Sequence, residues 1–574
     1  AAPTYAPNLK EAGELAERMV GRQKTTTQKI KANLAGLAFR TQFVDALAPL
    51  EKIAFGAMDA LKGMQMMYYL RAYGQRMNYT SKAMSQGVPQ LVEVKRADGR
   101  TEWKIAAGDG ATLKDVVDIL TTVKGVSPDA ANRLFTLYMS AIRAKRVGID
   151  ALNFSGNITE ADLDAAMQQI KTAGLEEPFE RARSKYNEYN EDLLKFNIQT
   201  GYISKALGAE LTAQKDYIPF YRVRNGNVEL LIGKETPVRI GDLKSNPHLK
   251  ELVGGEEPIF DFLTSSVQNT SMLMDAALRN MAVKNAMFEL NEIKVGGENA
   301  VHISKGQGSK GTVAFFLEGE EHYAVVNTEE TLGIPSDLLV RGLEGIPTML
   351  PTAVRLMGLP ARFLRRTIVA SPVYMARQLF RDSLAATMTS GVDGLPVLNA
   401  LRQIGKSHPL DKSGVTGGQV FTGTSEDMSR LLAEMQSGKS GWTQALTKLE
   451  AMSMEVDAAG RRAQYNSYIQ QGLSEMEAEY MALDSMNFSK RGISPSMHYL
   501  STLIPFFNAQ IQGLDVLYKA FTGKMPMNEK LKIQEKLLAR GAMLAGMTFA
   551  YAAAMQDDEG YKNATPEQKY GNWF

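Results

Sequence analysis

The chain has 574 residues, 44% hydrophobic and 22% charged, with 65 Lys and Arg against 63 Asp and Glu. That length is too great for one core and implies about three to five units of roughly 100–200 residues. The formal net charge of +2 and the absence of cysteine exclude a global basic field for nucleic acid, disulfides, thiolate metal sites and cysteine nucleophiles.

In chain order, the start AAPTYAPNLKEAGELAERM reads as a polar helix opening and not as a signal peptide. It lacks an initial Met, so the chain is expected to be processed or part of something longer. Residues 8–80 carry apolar positions at helical spacing, as in LAGLAFRTQFVDALAPLEKIAFGAMDALKGMQMMYYL, and predict helices. LVEVKRADGRTEWKI, about 90–105, predicts a short hairpin with Asp98-Gly99 at its turn. Helices resume over 112–214, with starts expected at Ser127-Pro128 and at Thr159-Glu160-Ala161-Asp162. SKYNEYNEDLLKFNIQTGYIS reads as a long polar-faced helix.

From 217 the pattern alternates and carries turn residues, predicting strands. A helical interval follows at about 258–293, and AVHISKGQGSKGTVAFFLEGEEHYAVVN reads as a hairpin or small sheet. From about 330 the chain is helical again. The expected fold class is mainly α: multi-domain helical bundles with a small β insertion (about 217–327) and the short N-terminal hairpin (about 90–105). The expected divisions are 1–215, a helical region with the hairpin; 216–347, a mixed α/β region; and 348–574, a helical module. The 30 Met residues suit helical cores that tolerate re-packing.

Candidate chemistry is sparse. Gly306-Gln307-Gly308-Ser309-Lys310-Gly311 matches G-x-G-x-x-G, but a dinucleotide fingerprint needs a helix after the glycines, and VAFFLEG is strand-like. The kinase elements that would rescue the motif are missing, so a Gly-rich hairpin is expected there. The Gly-Lys-Ser tripeptides at 405–407 and 438–440 have Ala400 and Ala433 where a P-loop needs Gly. His248, His302, His322, His408 and His498 show no metal-ligand spacing. No residue is assigned a catalytic, cofactor-binding or metal role.

Two stretches carry interaction candidates. Between 355 and 382, six arginines face a single acid, Asp382. Arg362, Arg365 and Arg366 share a helical face. In SPVYMARQLFRDSLAATMTSG (371–391), Ser371 and Pro372 suit a helix start and Gly391 a stop. Arg377 and Arg381 lie one turn apart beside an apolar stripe. A guanidinium offers a planar fork to carboxylate or phosphate, so these arginines are candidates either for ion pairs or for phosphate contacts with DNA or lipid. Near the C-terminus, 492–514 and 541–556 lack charged residues. The first is interrupted by prolines. The second would span roughly 22 Å as a helix, short of a hydrocarbon core of about 30 Å. Its stripe Ala542, Gly546, Ala550, Ala554 allows close helix packing, in a soluble bundle or a membrane.

The run AMSMEVDAAGRRAQYNSYIQQGLSEMEAEYMALDSMNFSKRGISPSMHYLSTLIPFFNAQIQGLDVLYKAF, about 451–521, resembles a large polyvalent-protein-associated domain of tailed-phage virion proteins. RTIVASPVYMARQLFRDSLAATMTSG, DYIPFYR, DAALRNMAVKNAMFEL and LAGMTFAYAAAMQDDEGYKNATPEQKYGNWF extend the likeness over roughly 215–574. Gln378 departs from it, since relatives often carry Asn there. The resemblance implies an internal virion, or DNA-ejection, protein of short-tailed phages. Such a protein is packed near the portal, delivered with the genome, and helps form a conduit across the host envelope. Its implied partners are other copies of itself, other internal virion proteins, the portal, phage DNA, and the host membrane after ejection. It would sit in the virion interior and then in the host envelope or cytoplasm. The module brings no catalytic residues and no cofactor, so no enzyme is expected. Two alternatives stay open: a co-injected DNA-binding or antirestriction protein, and the non-catalytic part of a larger virion enzyme such as a peptidoglycan lytic transglycosylase.

Overall fold

The computed structural model describes residues 34–96, 98–148, 159–213, 215–216, 262–305, 312–344, 396–416 and 441–484, and most positions from 487 to 515. The fold is mainly α with small sheets of two and three strands. The described residues form two compact units. One draws on 1–352, 412–438 and 489–499, the other on 353–411, 439–488 and 500–574.

The first unit begins with helices α1 (Leu34–Phe43), α2 (Ala48–Ala57), α3 (Ala60–Gly74) and α4 (Arg76–Gln86). Asp59 caps α3 by accepting from the Leu61 and Lys62 amides. Gly63 permits the α2–α3 approach, since a Cβ there would stand 2.3 Å from the Ala54 carbonyl oxygen. Strands β1 (Gln90–Lys95) and β2 (Thr101–Ala106) pair antiparallel from Gln90 opposite Ala106 to Lys95 opposite Thr101. Gly99 turns the chain at φ +82°, as the Asp98-Gly99 signal predicts. Tyr68 accepts from the Ile105 amide at 3.3 Å, and the Tyr69 hydroxyl donates to the Trp103 carbonyl at 3.0 Å. These bonds hold a two-stranded ribbon, marginal on its own, against α3.

Helices α5 (Leu113–Thr121), α6 (Pro128–Val147), α7 (Glu160–Thr172), α8 (Glu176–Gln199) and α9 (Lys205–Ala213) follow. Ser127 caps α6 ahead of Pro128, and Thr159 with Asp162 forms a reciprocal capping box on α7. Both starts are where the sequence predicts them. The long helix α8 has the expected polar face, and its opposite side is apolar. Phe179, Ala182, Tyr186, Tyr189, Leu193 and Phe196 form a buried stripe at three- and four-residue spacing.

That stripe helps to enclose α10 (Phe262–Asn291), which also packs on α3, α4 and α6. Phe262 meets Phe135 and Tyr186 edge to face, at centroid separations of 4.8 and 4.6 Å. The expected boundary near 216 therefore does not separate compact units: α10 forms the interior against which the earlier helices pack.

After α10 comes the small ribbon β3 (Lys294–Val295) with β4 (Glu298–Asn299), then β5 (Val301–Ser304), β6 (Thr312–Leu317) and β7 (Glu320–Val326). The three-stranded sheet has the order β5-β7-β6, antiparallel throughout. The glycine-rich hexapeptide 306–311 thus joins the two outer strands, and the hairpin turn lies at Glu318-Gly319. This corrects the expectation of a Gly-rich hairpin. The strands flanking 306–311 each pair with β7 and not with one another. Helices α11 (Thr328–Leu332) and α12 (Ser336–Glu344) follow.

Asn280 fastens the sheet to α10. Its Nδ2 donates to the Thr200 and Phe316 carbonyls at 3.0 and 2.9 Å, and its Oδ1 accepts from the Phe316 amide at 2.7 Å. A buried edge group left without such a partner costs about 1–3 kcal/mol. Farther along the chain, residues 489–494 dock on the end of α1. The Ala46 amide donates to the Arg491 carbonyl, and the Ile493 and Ser494 amides donate to the Thr41 and Gln42 carbonyls. Gly492 is required there, because a Cβ would stand 2.1 Å from the Gln42 oxygen.

The second unit contains α13 (Pro396–Leu401), α14 (Gly441–Gln470) and α15 (Glu475–Asp484). Gly472 ends α14 at φ +87°. Ser474 and Glu477 then bond each other's backbone amides at 3.2 and 2.9 Å, a capping box for α15. A final helix, α16, spans Pro495–Leu503.

Replacing Asn280 with Ala should destabilise the first unit by roughly 2–4 kcal/mol, because three backbone groups lose their partner in the interior. Chemical denaturation measures this. A loss below about 0.5 kcal/mol would show that the clamp is dispensable.

Candidate functional site: buried guanidinium clusters

Among the described residues, four clusters of charged groups are each centred on an arginine. The first joins α1, α2 and α3. Arg71 lies in the apolar run MQMMYYLRAYG and meets Asp45 with both Nη atoms, at 2.9 and 2.6 Å. Both side chains are almost fully buried. Arg40 and Glu51 form a second pair at 3.1 Å. Burial pushes the Asp45 carboxyl up, but the charge and hydrogen bonds of Arg71 outweigh it and hold it below the usual range. Lys490, from the docked 489–494 segment, adds a further positive charge.

The second cluster surrounds Arg279, which is 3% exposed on α10. Asp275, one turn earlier, accepts from Arg279 at 2.9 Å and pairs with Arg76 of α4 at 2.9 Å. The Tyr73 ring lies 4.9 Å from the Arg76 guanidinium and 5.9 Å from that of Arg279. Lys284 donates to the Thr200 carbonyl at 2.7 Å, and burial lowers its pKa. In the third cluster Arg183 of α8 binds Asp216 bidentately at 2.7 and 3.1 Å and Glu180 at 2.8 Å. Asn187 exchanges two further bonds with Asp216, and these contacts hold Asp216 at φ +63°. Tyr138 donates to Glu180 at 2.7 Å. Burial, then this carboxylate, raises the phenol's pKa.

The second unit has the most completely satisfied cluster. The Arg462 side chain is 4% exposed. Its Nε donates to Asp411 at 2.6 Å, its Nη atoms donate to Glu455 at 2.6 and 3.0 Å, and Nη1 also donates to the Gln403 carbonyl at 2.9 Å. Glu455 accepts in addition from the Gly405 amide at 2.7 Å. Burial raises the Glu455 carboxyl, but the Arg462 and Gly405 bonds more than offset this and lower it. The neighbouring Arg461 pairs with Asp457 at 3.5 Å. His408 bonds Asn466 at 3.0 Å and lies edge-on to Tyr465. The Gly-Lys-Ser of 405–407 therefore belongs to a structural turn, whose glycine amide contacts a carboxylate.

These geometries fix helices against one another. A guanidinium whose fork is filled by two carboxylates is well placed to hold packing and poorly placed to bind a substrate. Among the described residues no group of three His, Asp or Glu could hold a metal ion. No described helix is long and apolar enough to cross a membrane. A cleft of about 280 Å³ between α6 and α7 contains the Lys145–Asp164 pair at 2.8 Å.

The arginines singled out by the sequence (Arg362, Arg365, Arg366, Arg377 and Arg381) lie outside the described residues. So does the stripe Ala542, Gly546, Ala550, Ala554. The buried centres Arg71, Arg279 and Arg462 were not predicted. A lone arginine within an apolar run was the available signal for Arg71, and the i, i+4 spacing of Asp275 and Arg279 that for Arg279; Arg462, in a polar stretch beside Arg461, carried none. Comparison with family models, with curated proteins and with solved structures finds no match to this chain.

Arg462→Met should destabilise the second unit by about 3–5 kcal/mol, because two carboxylates lose their shared cation. Arg462→Lys should recover less than half of that, since an ammonium cannot fill both forks. Full recovery by Lys in a denaturation series would refute bidentate geometry as the source.

His498, on the segment beside Arg491, has its pKa lowered to about 3 by burial and then by the Arg491 charge. A histidine with a depressed folded-state pKa stabilises the fold above its ordinary value near 6.5 and loses that contribution as pH falls. Between pH 6.5 and 3 the wild type should therefore lose stability more steeply than His498→Gln, by at most about 1.4 kcal/mol per pH unit. Parallel slopes in pH-dependent denaturation would exclude this role.

Proposed function

We propose that this chain is an internal virion protein of a short-tailed phage, one that acts mechanically in genome delivery. The observation that carries the reading is the ordered series of sequence blocks resembling the polyvalent-protein-associated module. The structure gives those blocks a physical meaning compatible with it. In DAALRNMAVKNAMFEL, Asp275, Arg279, Asn280 and Lys284 are the polar groups that tie α10 to its neighbours. In AMSMEVDAAGRRAQYNSYIQ, Asp457, Arg461 and Arg462 are ion-pair partners within a helical unit. In SKRGIS, backbone groups of Arg491, Ile493 and Ser494 dock on α1. The module's distinctive residues are thus packing devices, as a structural role requires. Copies of the chain would assemble with other internal proteins at the portal, pass through it, and reassemble in the host envelope. The Met-rich, cysteine-free composition suits such re-packing.

Electron microscopy of intact virions, with the protein located by a tag or by its absence from a deletion phage, should place its density around the portal axis inside the capsid. Density on the tail exterior would overturn the reading.

A further inference from the structure

The second unit carries an exposed apolar turn that its own interior holds in shape. Helix α13 ends at Leu401, and the chain then turns through Arg402, Gln403, Ile404, Gly405 and Lys406. Leu401 is 46% exposed and Ile404 40%. Met452, 55% exposed, stands one turn before Glu455 on α14, and Glu455 accepts from the Gly405 amide. Each of these three aliphatic side chains thus lies within about one turn, along its own segment, of the bond that joins 405 to 455.

The charge around them has one sign. Residues 396–410 contain Arg402 and Lys406 and no Asp or Glu. Both cations are exposed, and neither has an ion-pair partner among the described residues. The acids that hold the turn in place, Asp411 and Glu455, are engaged by Arg462. Four successive backbone amides are also already bonded. Gln403 donates to the Ala400 carbonyl at 2.9 Å, Ile404 to Leu401 at 3.3 Å, Gly405 to Glu455 at 2.7 Å and Lys406 to Gln403 at 3.2 Å. The Gln403 carbonyl accepts from Arg462 as well, at 2.9 Å.

Irregular backbone enters an apolar medium only where its polar groups are satisfied internally, and over 403–406 the amides meet that condition. A protein partner would use free backbone donors or the aromatic anchors that dominate protein interfaces. The turn has no free amide over 403–406 and no aromatic residue among 401–406. A lipid surface asks only for apolar side chains at shallow depth and positive charge at headgroup level. We propose that the turn 401–406, with Met452, seats the second unit shallowly on an anionic lipid surface. Leu401, Ile404 and Met452 enter the boundary between headgroups and acyl chains, and Arg402 and Lys406 meet lipid phosphates. The buried Arg462 network fixes the turn beforehand, so little order is lost on binding. No residue of 396–410 lies in the sequence blocks behind the virion reading, so either inference can fail without the other.

The chain has no cysteine, so Ser407→Cys, at an exposed position, gives a single labelling site on the full chain. An environment-sensitive dye there should shift to the blue with vesicles of about 30 mol% phosphatidylglycerol in phosphatidylcholine, and stay unchanged with phosphatidylcholine alone. Leu401→Ser combined with Ile404→Ser should weaken binding to the anionic vesicles at least about tenfold. Arg402→Gln combined with Lys406→Gln should weaken it by about tenfold at low salt. All four side chains are exposed, so thermal midpoints should not change. Absence of the blue shift would overturn the proposal even if the chain binds vesicles, because another segment would then make the contact. An affinity that survives the serine pair would overturn it too, as would a shift produced by a DNA duplex but not by vesicles.

Discussion

The constraint on which the first unit depends is that α10 is buried on every side over Phe262–Ser271 and along most of its length beyond. Each buried polar group on it needs a partner, since a group left unmet in the interior costs about 1–3 kcal/mol. Asn280 meets that demand by bonding two segments at once, and so couples the end of α8 to strand β6. Arg279 meets it through Asp275, which is shared with Arg76. Tyr186 and Tyr189 of α8 do so with hydroxyls that reach Ser266 and Thr270.

The charge clusters follow the same logic at higher stakes. An arginine retains its charge at any ordinary pH, so once buried it must bring carboxylates with it. Arg71 lies beside Asp45, Arg183 beside Asp216, and Arg462 beside Asp411 and Glu455. Asp45, Asp216 and Asp411 lie 26, 33 and 51 residues from their arginines, so each of these pairs fixes the relative placement of separate segments. Such pairs add little net stability over well-packed apolar residues, but they penalise any arrangement that separates them. They act as locks on packing, and their filled forks leave nothing to offer a substrate.

Local structure was largely legible before the fold was known. The Ser127 and Thr159 starts, the turn at Asp98-Gly99 and the helical interval ending near 291 depend on interactions spanning four residues or fewer. The polar face of α8 was legible too, while the burial of Tyr186 and Tyr189 on its other side was not, because tyrosine counts as polar in a pattern but packs as an aromatic. The sheet order was illegible for a different reason. Alternation identifies β5, β6 and β7 as strands, yet which of them lies in the middle depends on the side of the sheet the chain returns to after 311. The charge centres were half legible: Arg71 stands out as a charge in an apolar run and Arg279 through its i, i+4 acid, but nothing nearby names Asp45, Arg76 or Asp411.

By itself, then, the sequence determined that this is a cysteine-free, nearly neutral, mainly helical protein with two small β excursions, and it set where α6 and α7 start. Those properties follow from composition, from periodicity and from caps that act within one helical turn. Only the tertiary structure decided that α10 is the buried axis of the first unit, that Asn280 joins the hydrophobic contacts in holding the sheet, and which acid answers each interior arginine. Those choices depend on contacts between residues tens to hundreds of positions apart. There the cost of an unpaired polar or charged group, and not local propensity, selects the arrangement.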